Sequence, residues 1–241
     1  MRQNIRRIIV YVSLLLFPVT MNYLSPYVSI DAAFIGIVSG SVLVFGLLFL
    51  SGLFFGRAFC GWLCPVAGLS ELGQTVNRRP VSVRKLRVVR YSIFGVWFAV
   101  LIAGFVLAGG IRGVDPLHLT ERVVSVDEPF KYITYYFVLF IILALTLLIG
   151  RRGACHAICW MSPFLTAGTL AGRALHLPQL RVYARPDRCN GCGVCTRRCP
   201  MSIDVCAEAR RGQVRSTDCI LCGECVDGCA QKVLSYGKRG A

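Results

Sequence analysis

Four stretches of the chain stay apolar for the length of a membrane-crossing helix: residues 8–24, 34–55, 91–111 and 132–150. At a rise of about 1.5 Å per residue each reaches roughly across a hydrocarbon core, and none holds an internal charge. Ser13, Pro18 and Thr20 make the first stretch the least apolar, so a buried or tilted helix suits it as well. Tyr91, Tyr132, Tyr135 and Tyr136 fall near span ends, where amphipathic rings favour the headgroup layer. The pattern predicts an α-helical membrane domain of four transmembrane helices over residues 1–160. An amphipathic linker over 161–180 and a small α+β domain over 181–241 follow.

Composition agrees with the pattern. Of 241 residues, 55% are hydrophobic and only 16% charged, too apolar for an ordinary soluble domain of this size. The N-terminal Met1-Arg2-Gln3-Asn4-Ile5-Arg6-Arg7 could open a signal peptide, but no small-residue cleavage site follows Thr20 and Asn22, so a retained first helix is expected. The formal charge of +15 could signal nucleic acid, yet the basic residues are interleaved with apolar runs. Their distribution is instead that of a membrane protein. Three Lys or Arg lie in the N-terminal arm, seven between spans two and three, fourteen after span four and three in the remaining loops. By the positive-inside rule both termini, residues 56–90 and the C-terminal domain are cytoplasmic. Residues 25–33 and 112–131, with Asp31, Asp115, Glu121, Asp127 and Glu128, face outward. The expected location is a bacterial or archaeal cytoplasmic membrane. No His lies inside a span, so no haem b is expected.

Thirteen cysteines, mostly at x2 and x3 spacing, point to metal ligation rather than disulfides. Cys189, Cys192, Cys195 and Cys199 form one CxxCxxCxxxCP run, and Cys219, Cys222, Cys225 and Cys229 repeat it. This is the bacterial two-cluster ferredoxin pattern, in which the fourth cysteine of each run ligates the other cluster. One [4Fe–4S] cluster would take Cys189, Cys192, Cys195 and Cys229; the second would take Cys219, Cys222, Cys225 and Cys199. A zinc ribbon would use two CxxC pairs and leave four cysteines idle. Residues 181–183 and 233–236 suit short strands flanking the runs. Ala230 replaces the motif's second Pro, which donates nothing to iron. Gly191, Gly193, Gly223 and Gly228 let backbone N–H groups approach the sulfurs.

A second set of cysteines recurs after spans two and four. Gly56-Arg57 leads to Cys60 and Cys64-Pro65, and Gly150-Arg151-Arg152 leads to Cys155 and Cys159. Each CxxxC follows a two-span hairpin and precedes an amphipathic stretch, residues 66–76 and 164–177, which reads as a two-hairpin parallel repeat about the membrane normal. Cysteines at i and i+4 share one helical face, so the two motifs could present four thiolates to one site. The residues leave its occupant open among an additional Fe–S cluster, zinc or Cu(I), a thiol redox pair and four buried free cysteines. His156 adds a candidate ligand or hydrogen-bond partner, and Cys206, outside every run, is expected to be structural.

On these residues the chain resembles the membrane-bound polyferredoxins of the NapH, NosR and CcoG kind over nearly its whole length. The second CxxxC departs from the pattern in being followed by Trp160, with Pro163 three residues on. The resemblance implies an electron-transfer subunit that draws on a cytoplasmic donor, a ferredoxin or flavodoxin, or on quinol, and serves a periplasmic or membrane redox partner. Arg78, Arg79, Arg84, Lys85, Arg87 and Arg90 are placed to steer an acidic donor or to meet anionic lipid. A metal-reducing maturation factor and a membrane redox sensor are the alternatives. No nucleophile–base pair or phosphate-binding glycine loop is present in the sequence, so no catalytic residues are expected.

Overall fold

The computed structural model describes residues 1–120, 124–126 and 128–238; the acids Glu121 and Asp127 expected in an outer loop lie outside them. The first apolar run does not form a single helix. α1 (Arg2–Leu15) stops ahead of Pro18, which cannot donate to the helical ladder and sits in the first turn of α2 (Phe17–Thr20), followed by a 3₁₀ turn at Asn22–Leu24. The Ser25 hydroxyl accepts the Val28 N–H and so caps α3 (Pro26–Ile35). The second expected span is also divided. Gly36, at φ 82°, ends α3 and turns the chain into β1 (Ile37–Ser39), so that α4 (Gly40–Phe55) has 16 residues.

α5 (Ala58–Trp62) and α6 (Pro65–Val76) follow, then α7 (Val83–Leu107). β2 (Gly113–Asp115) pairs in parallel with β1, placing Val38 opposite Val114. α8 (Pro129–Ile149) leads into α9 (Gly153–Ala157) and α10 (Met161–Ala174). Among the described residues α7 and α8, of 25 and 21 residues, are the two helices long and apolar enough to cross a membrane.

The elements α4–α5–α6 and α8–α9–α10 have the same order, and each amphipathic helix packs on the other set's apolar one: α10 on α4, α6 on α8. A Cβ on Gly168 of α10 would stand 2.1 Å from the Phe49 carbonyl, so the α4–α10 contact needs glycine there. Residues 161–174, part of the amphipathic stretch, thus pack within the helical region, burying Met161, Leu165 and Thr169. Phe45, Trp97 and Phe164 join α4, α7 and α10, with Phe45 stacked on Phe164 at 5.1 Å and edge-on to Trp97 at 5.7 Å.

The C-terminal region is an α+β unit. β3 (Leu180–Ala184) and β4 (Leu234–Lys238) pair antiparallel with Val182 opposite Tyr236. Between them lie a 3₁₀ turn at Pro186–Arg188, α11 (Val194–Arg198), α12 (Val205–Ala209) and α13 (Glu224–Asp227).

Candidate metal centres

The eight cysteines of the C-terminal runs line two cavities. Cys199, Cys219, Cys222 and Cys225 bound one, among apolar residues such as Met201 and Ile220. Cys189, Cys192, Cys195 and Cys229 bound the other, together with Cys206 of α12. Each cavity therefore takes three cysteines from one run and one from the other. Matching local structure produces this. Gly193 and Gly223, at φ 70° and 81°, start α11 and α13 in the left-handed conformation, so Cys195 and Cys225 each ride on the first turn of a short helix. The Tyr236 hydroxyl donates to the Leu221 carbonyl at 2.7 Å and ties β4 to the second run. Burial, with the neighbouring Cys222 adding to it, pushes the Cys199 thiol up to about 11, and burial with Cys222 and Cys199 nearby pushes Cys219 up to about 12. Such thiols deprotonate when a metal replaces the proton.

The four CxxxC cysteines also meet. Burial and the thiols of Cys60, Cys155 and Cys159 together raise the Cys64 thiol well above its ordinary value; burial, Cys155 and Cys60 push Cys159 up to about 12. The Ser70 hydroxyl stands 3.8 Å from the Cys155 sulfur. The two cysteines of a motif do not share one helix face, because α5 and α9 are five residues long and stop before the second cysteine. Pro65 forces Cys64 into extended backbone (φ −73°, ψ 125°), making it the residue that precedes α6. In the second motif Cys159 lies in the break between α9 and α10.

Buried arginines surround this quartet. Arg57 and Arg152, from the two Gly-Arg steps, are 2% and 1% exposed. Arg57 Nη1 donates to Asp218 Oδ1 at 3.1 Å, Arg90 Nη2 to the same oxygen at 2.9 Å, and Arg87 Nη2 to Oδ2 at 2.5 Å. Arg152 donates from Nη1 to the Cys60 carbonyl at 2.9 Å and from Nη2 to Glu71 at 3.0 Å, and Arg6 also pairs with Glu71. Burial works against charge on Arg152, but Cys155, Glu71, Cys222 and Cys64 outweigh it and hold the guanidinium above its ordinary value. The Nε atoms of Arg57, Arg90 and Arg152 and Nε2 of His156 are buried with no hydrogen-bond partner. Unsatisfied buried donors are costly, and sulfide and thiolate acceptors would satisfy the arginine donors, so the residues present fit an anionic thiolate-bound group. Burial drives His156 down to about 3, leaving a neutral imidazole.

The quartet abuts the second C-terminal run. A Cβ on Gly61 would lie 2.3 Å from the Ile220 carbonyl, Trp62 Nε1 donates to the Leu221 carbonyl at 3.0 Å, and Gln3 Nε2 to the Cys222 carbonyl at 3.0 Å. Among the described residues no three His, Cys, Asp or Glu side chains converge tightly enough for a single metal ion, at the quartet or in the C-terminal runs.

Sequence reasoning missed three features of this region. Cys206, outside every run, lines one of the cysteine cavities, a proximity its spacing does not signal. Arg87 and Arg90 are bound to Asp218, so neither is a free steering charge. Asp218 and Glu71 as partners of the buried arginines carried no signal beyond their sign, although the repeated Gly-Arg step marked the arginines themselves.

Comparison with known proteins gives two matching family models, a 4Fe-4S binding domain over residues 37–87 and a 4Fe-4S dicluster domain over residues 181–230. The chain is 27% identical over 210 residues to the ferredoxin-type protein NapH of Escherichia coli K12, covering 84% of this chain and 68% of that protein. It is 29% identical over 226 residues to the methylamine utilization ferredoxin-type protein MauN of Methylorubrum extorquens, covering 89% and 74%. It is 30% identical over 185 residues to the putative electron transport protein YccM of Escherichia coli K12, covering 72% and 48%. Of the NapH of Haemophilus influenzae it spans 63%, less than two thirds. No solved structure matches the chain.

Proposed function

The chain is a NapH-like polyferredoxin, and from that premise we propose that it relays single electrons through two [4Fe–4S] clusters at the cytoplasmic face of a membrane toward a redox partner in or across that membrane. The observation that carries the reading is the division of eight cysteines over two cavities, three and one from each run. That is how bacterial two-cluster ferredoxins bind their clusters. Cys189, Cys192, Cys195 and Cys229 would hold the first and Cys219, Cys222, Cys225 and Cys199 the second, each cluster supplying a one-electron store.

Cys60, Cys64, Cys155 and Cys159 would hold an additional Fe–S cluster. The unpartnered Nε donors of Arg57 and Arg152 favour an anionic occupant over neutral thiols or a disulfide. The close approach of Gly61 to the Ile220 carbonyl supports reading this site as the inward neighbour of the second cluster. Four spans, a two-hairpin repeat and cytoplasmic termini complete the proposal. The exchange of α6 and α10 between the two sets supports the repeat, and the distribution of Lys and Arg supports the orientation. A soluble donor or quinol would load the clusters.

Anaerobic purification with iron quantitation and EPR tests this. The unsubstituted protein should carry about twelve irons, and Cys60→Ser with Cys155→Ser should lower that to about eight. Equal iron in both removes the third site and leaves the two-cluster domain. In proteoliposomes, a low-potential donor outside and a quinone analogue in the bilayer should show electron flux; none would overturn the relay.

A further inference from the structure

A cavity of about 490 Å³ opens where α1 and α6 meet the C-terminal unit. It touches none of the cysteine side chains, and six arginines and two glutamates line it. Both glutamates are engaged: Glu71 by Arg6 and Arg152, Glu224 by Arg6 and Arg7. Arg78, Arg151, Arg197 and Arg198 are left without a carboxylate within ion-pair distance among the described residues. Four like charges around one cavity repel one another, with Arg151 half-buried and Arg78, Arg197 and Arg198 exposed.

Backbone carbonyls hold three of the four in place. Arg78 Nε donates to the Gln74 carbonyl at 3.2 Å. Arg151 donates from Nε to the Arg78 carbonyl at 2.7 Å and from Nη1 to the carbonyls of Arg197 and Cys199 at 2.7 and 3.3 Å. Arg197 Nη1 donates to the Cys192 carbonyl at 3.1 Å. Each bond fixes one part of a guanidinium and leaves other N–H groups free, which is a preorganised cradle for tetrahedral oxyanions. In the same wall the Gln74 side-chain nitrogen is buried without an acceptor. A volume within the range of small-ligand sites exceeds what a single small ion fills.

We propose that this cleft binds a phosphate-bearing ligand. Two sources carry that chemistry, a soluble phosphate compound and the headgroup of an anionic phospholipid. The neighbourhood favours the headgroup, because Leu15 of α1 and Val76 of α6, on the two helices that wall the cleft, are 78% and 79% exposed and can face acyl chains. The proposal rests on the membrane association of α7 and α8 and on no assignment of cluster ligands.

The test uses the full-length, anaerobically purified protein. Native mass spectrometry after reconstitution in phosphatidylcholine discs, with and without phosphatidylglycerol, reads lipid retention. A parallel arm in detergent titrates inorganic phosphate against chloride at equal ionic strength and reads thermal stability. Selective retention of phosphatidylglycerol, weakened about ten-fold in Arg78→Gln and Arg197→Gln but unchanged in Arg211→Gln, supports the headgroup. Protection by inorganic phosphate, lost in the same two variants while neither lipid is preferred, supports the soluble source. The proposal is overturned if the unsubstituted protein retains both lipids equally and phosphate protects no better than chloride. It is also overturned if both cleft variants, which alter exposed side chains, bind as the unsubstituted protein does.

Discussion

Arg57 and Asp218 form an ion pair at 3.1 Å, both almost wholly buried, joining the step before the first CxxxC motif to the residue before Cys219. Asp218 also takes Arg90 and Arg87, and burial, which alone would raise its carboxyl, is outweighed by Arg57 and Arg90, so the group stays ionised well below the usual carboxylate range. Removing one charge from a buried pair strands the others. Asp218→Asn should destabilise the protein by about 3–5 kcal/mol in anaerobic thermal or denaturant unfolding. Arg57→Met combined with it should cost less than the sum of the two single changes. An unchanged unfolding midpoint in Asp218→Asn would show that the cluster of arginines does not depend on this carboxylate.

The crossed division of cysteines has a direct consequence. Cys199→Ser should disturb the cluster centred on Cys219, Cys222 and Cys225, although Cys199 belongs to the other run, and Cys229→Ser should disturb the cluster centred on Cys189, Cys192 and Cys195. Power-saturation EPR of the reduced variants distinguishes these signals. Each variant disturbing its own run's cluster instead would mean that the runs act independently.

Cys206 is a fifth thiol in a cavity that can use four. It rides on α12, where Asp204 caps the helix and the Cys206 N–H donates to Thr196 Oγ1 at 2.9 Å. Cys206→Ser should therefore keep the full iron content and EPR signature, whereas Cys195→Ser should lose iron. Iron loss in Cys206→Ser would exchange its role with one of the four.

The close approach of Gly61 to Ile220 predicts a contrast between two glycines. Gly46 lies inside α4 with nothing within 4 Å of a Cβ position, and Gly46→Ala should stabilise by about 0.5–1 kcal/mol through helix propensity. Gly61→Ala must push back the Ile220 backbone and should cost roughly 1–3 kcal/mol. It should also slow electron flux in proteoliposomes by widening the gap between the second cysteine run and the quartet. Equal unfolding temperatures for the two variants would show that the seam yields freely.

These outcomes separate what spacing alone conveys from what tertiary packing decides. The two cysteine runs and strands 181–183 and 233–236 were legible because ligand spacing and alternation are local properties of the chain. The CxxxC quartet was legible as a pair of repeated motifs, although the shared helix face was not, since Pro65 breaks the helix at Cys64. Residues 8–24 read as one span because an apolar run looks continuous in composition, while Pro18 and the turn at Asn22–Leu24 divide it. The partners of Arg57, Arg90 and Arg152 are set by contacts 65 to 161 residues apart in sequence, which no periodicity reveals.

Arg152 offers the sharpest test of what the quartet holds. Its guanidinium is fixed by the Cys60 carbonyl and Glu71, its Nε–H has no acceptor, and its charge lies among Cys155, Cys222 and Cys64. If the quartet binds an anionic cluster, this cation stabilises the reduced state more than the oxidised one, because reduction adds a negative charge beside it. Arg152→Met should then lower the midpoint potential of the third centre by tens of millivolts, about 59 mV for each ten-fold change in the one-electron equilibrium. Arg152→Lys, keeping the charge but losing the fork, should fall between the two. Potentiometric EPR titration reads the shift separately from folding, which iron content and unfolding temperature monitor. A third centre whose potential is the same in all three proteins would rule out Arg152 as its counter-charge, and a protein with no third titrating centre would leave the quartet without a redox occupant.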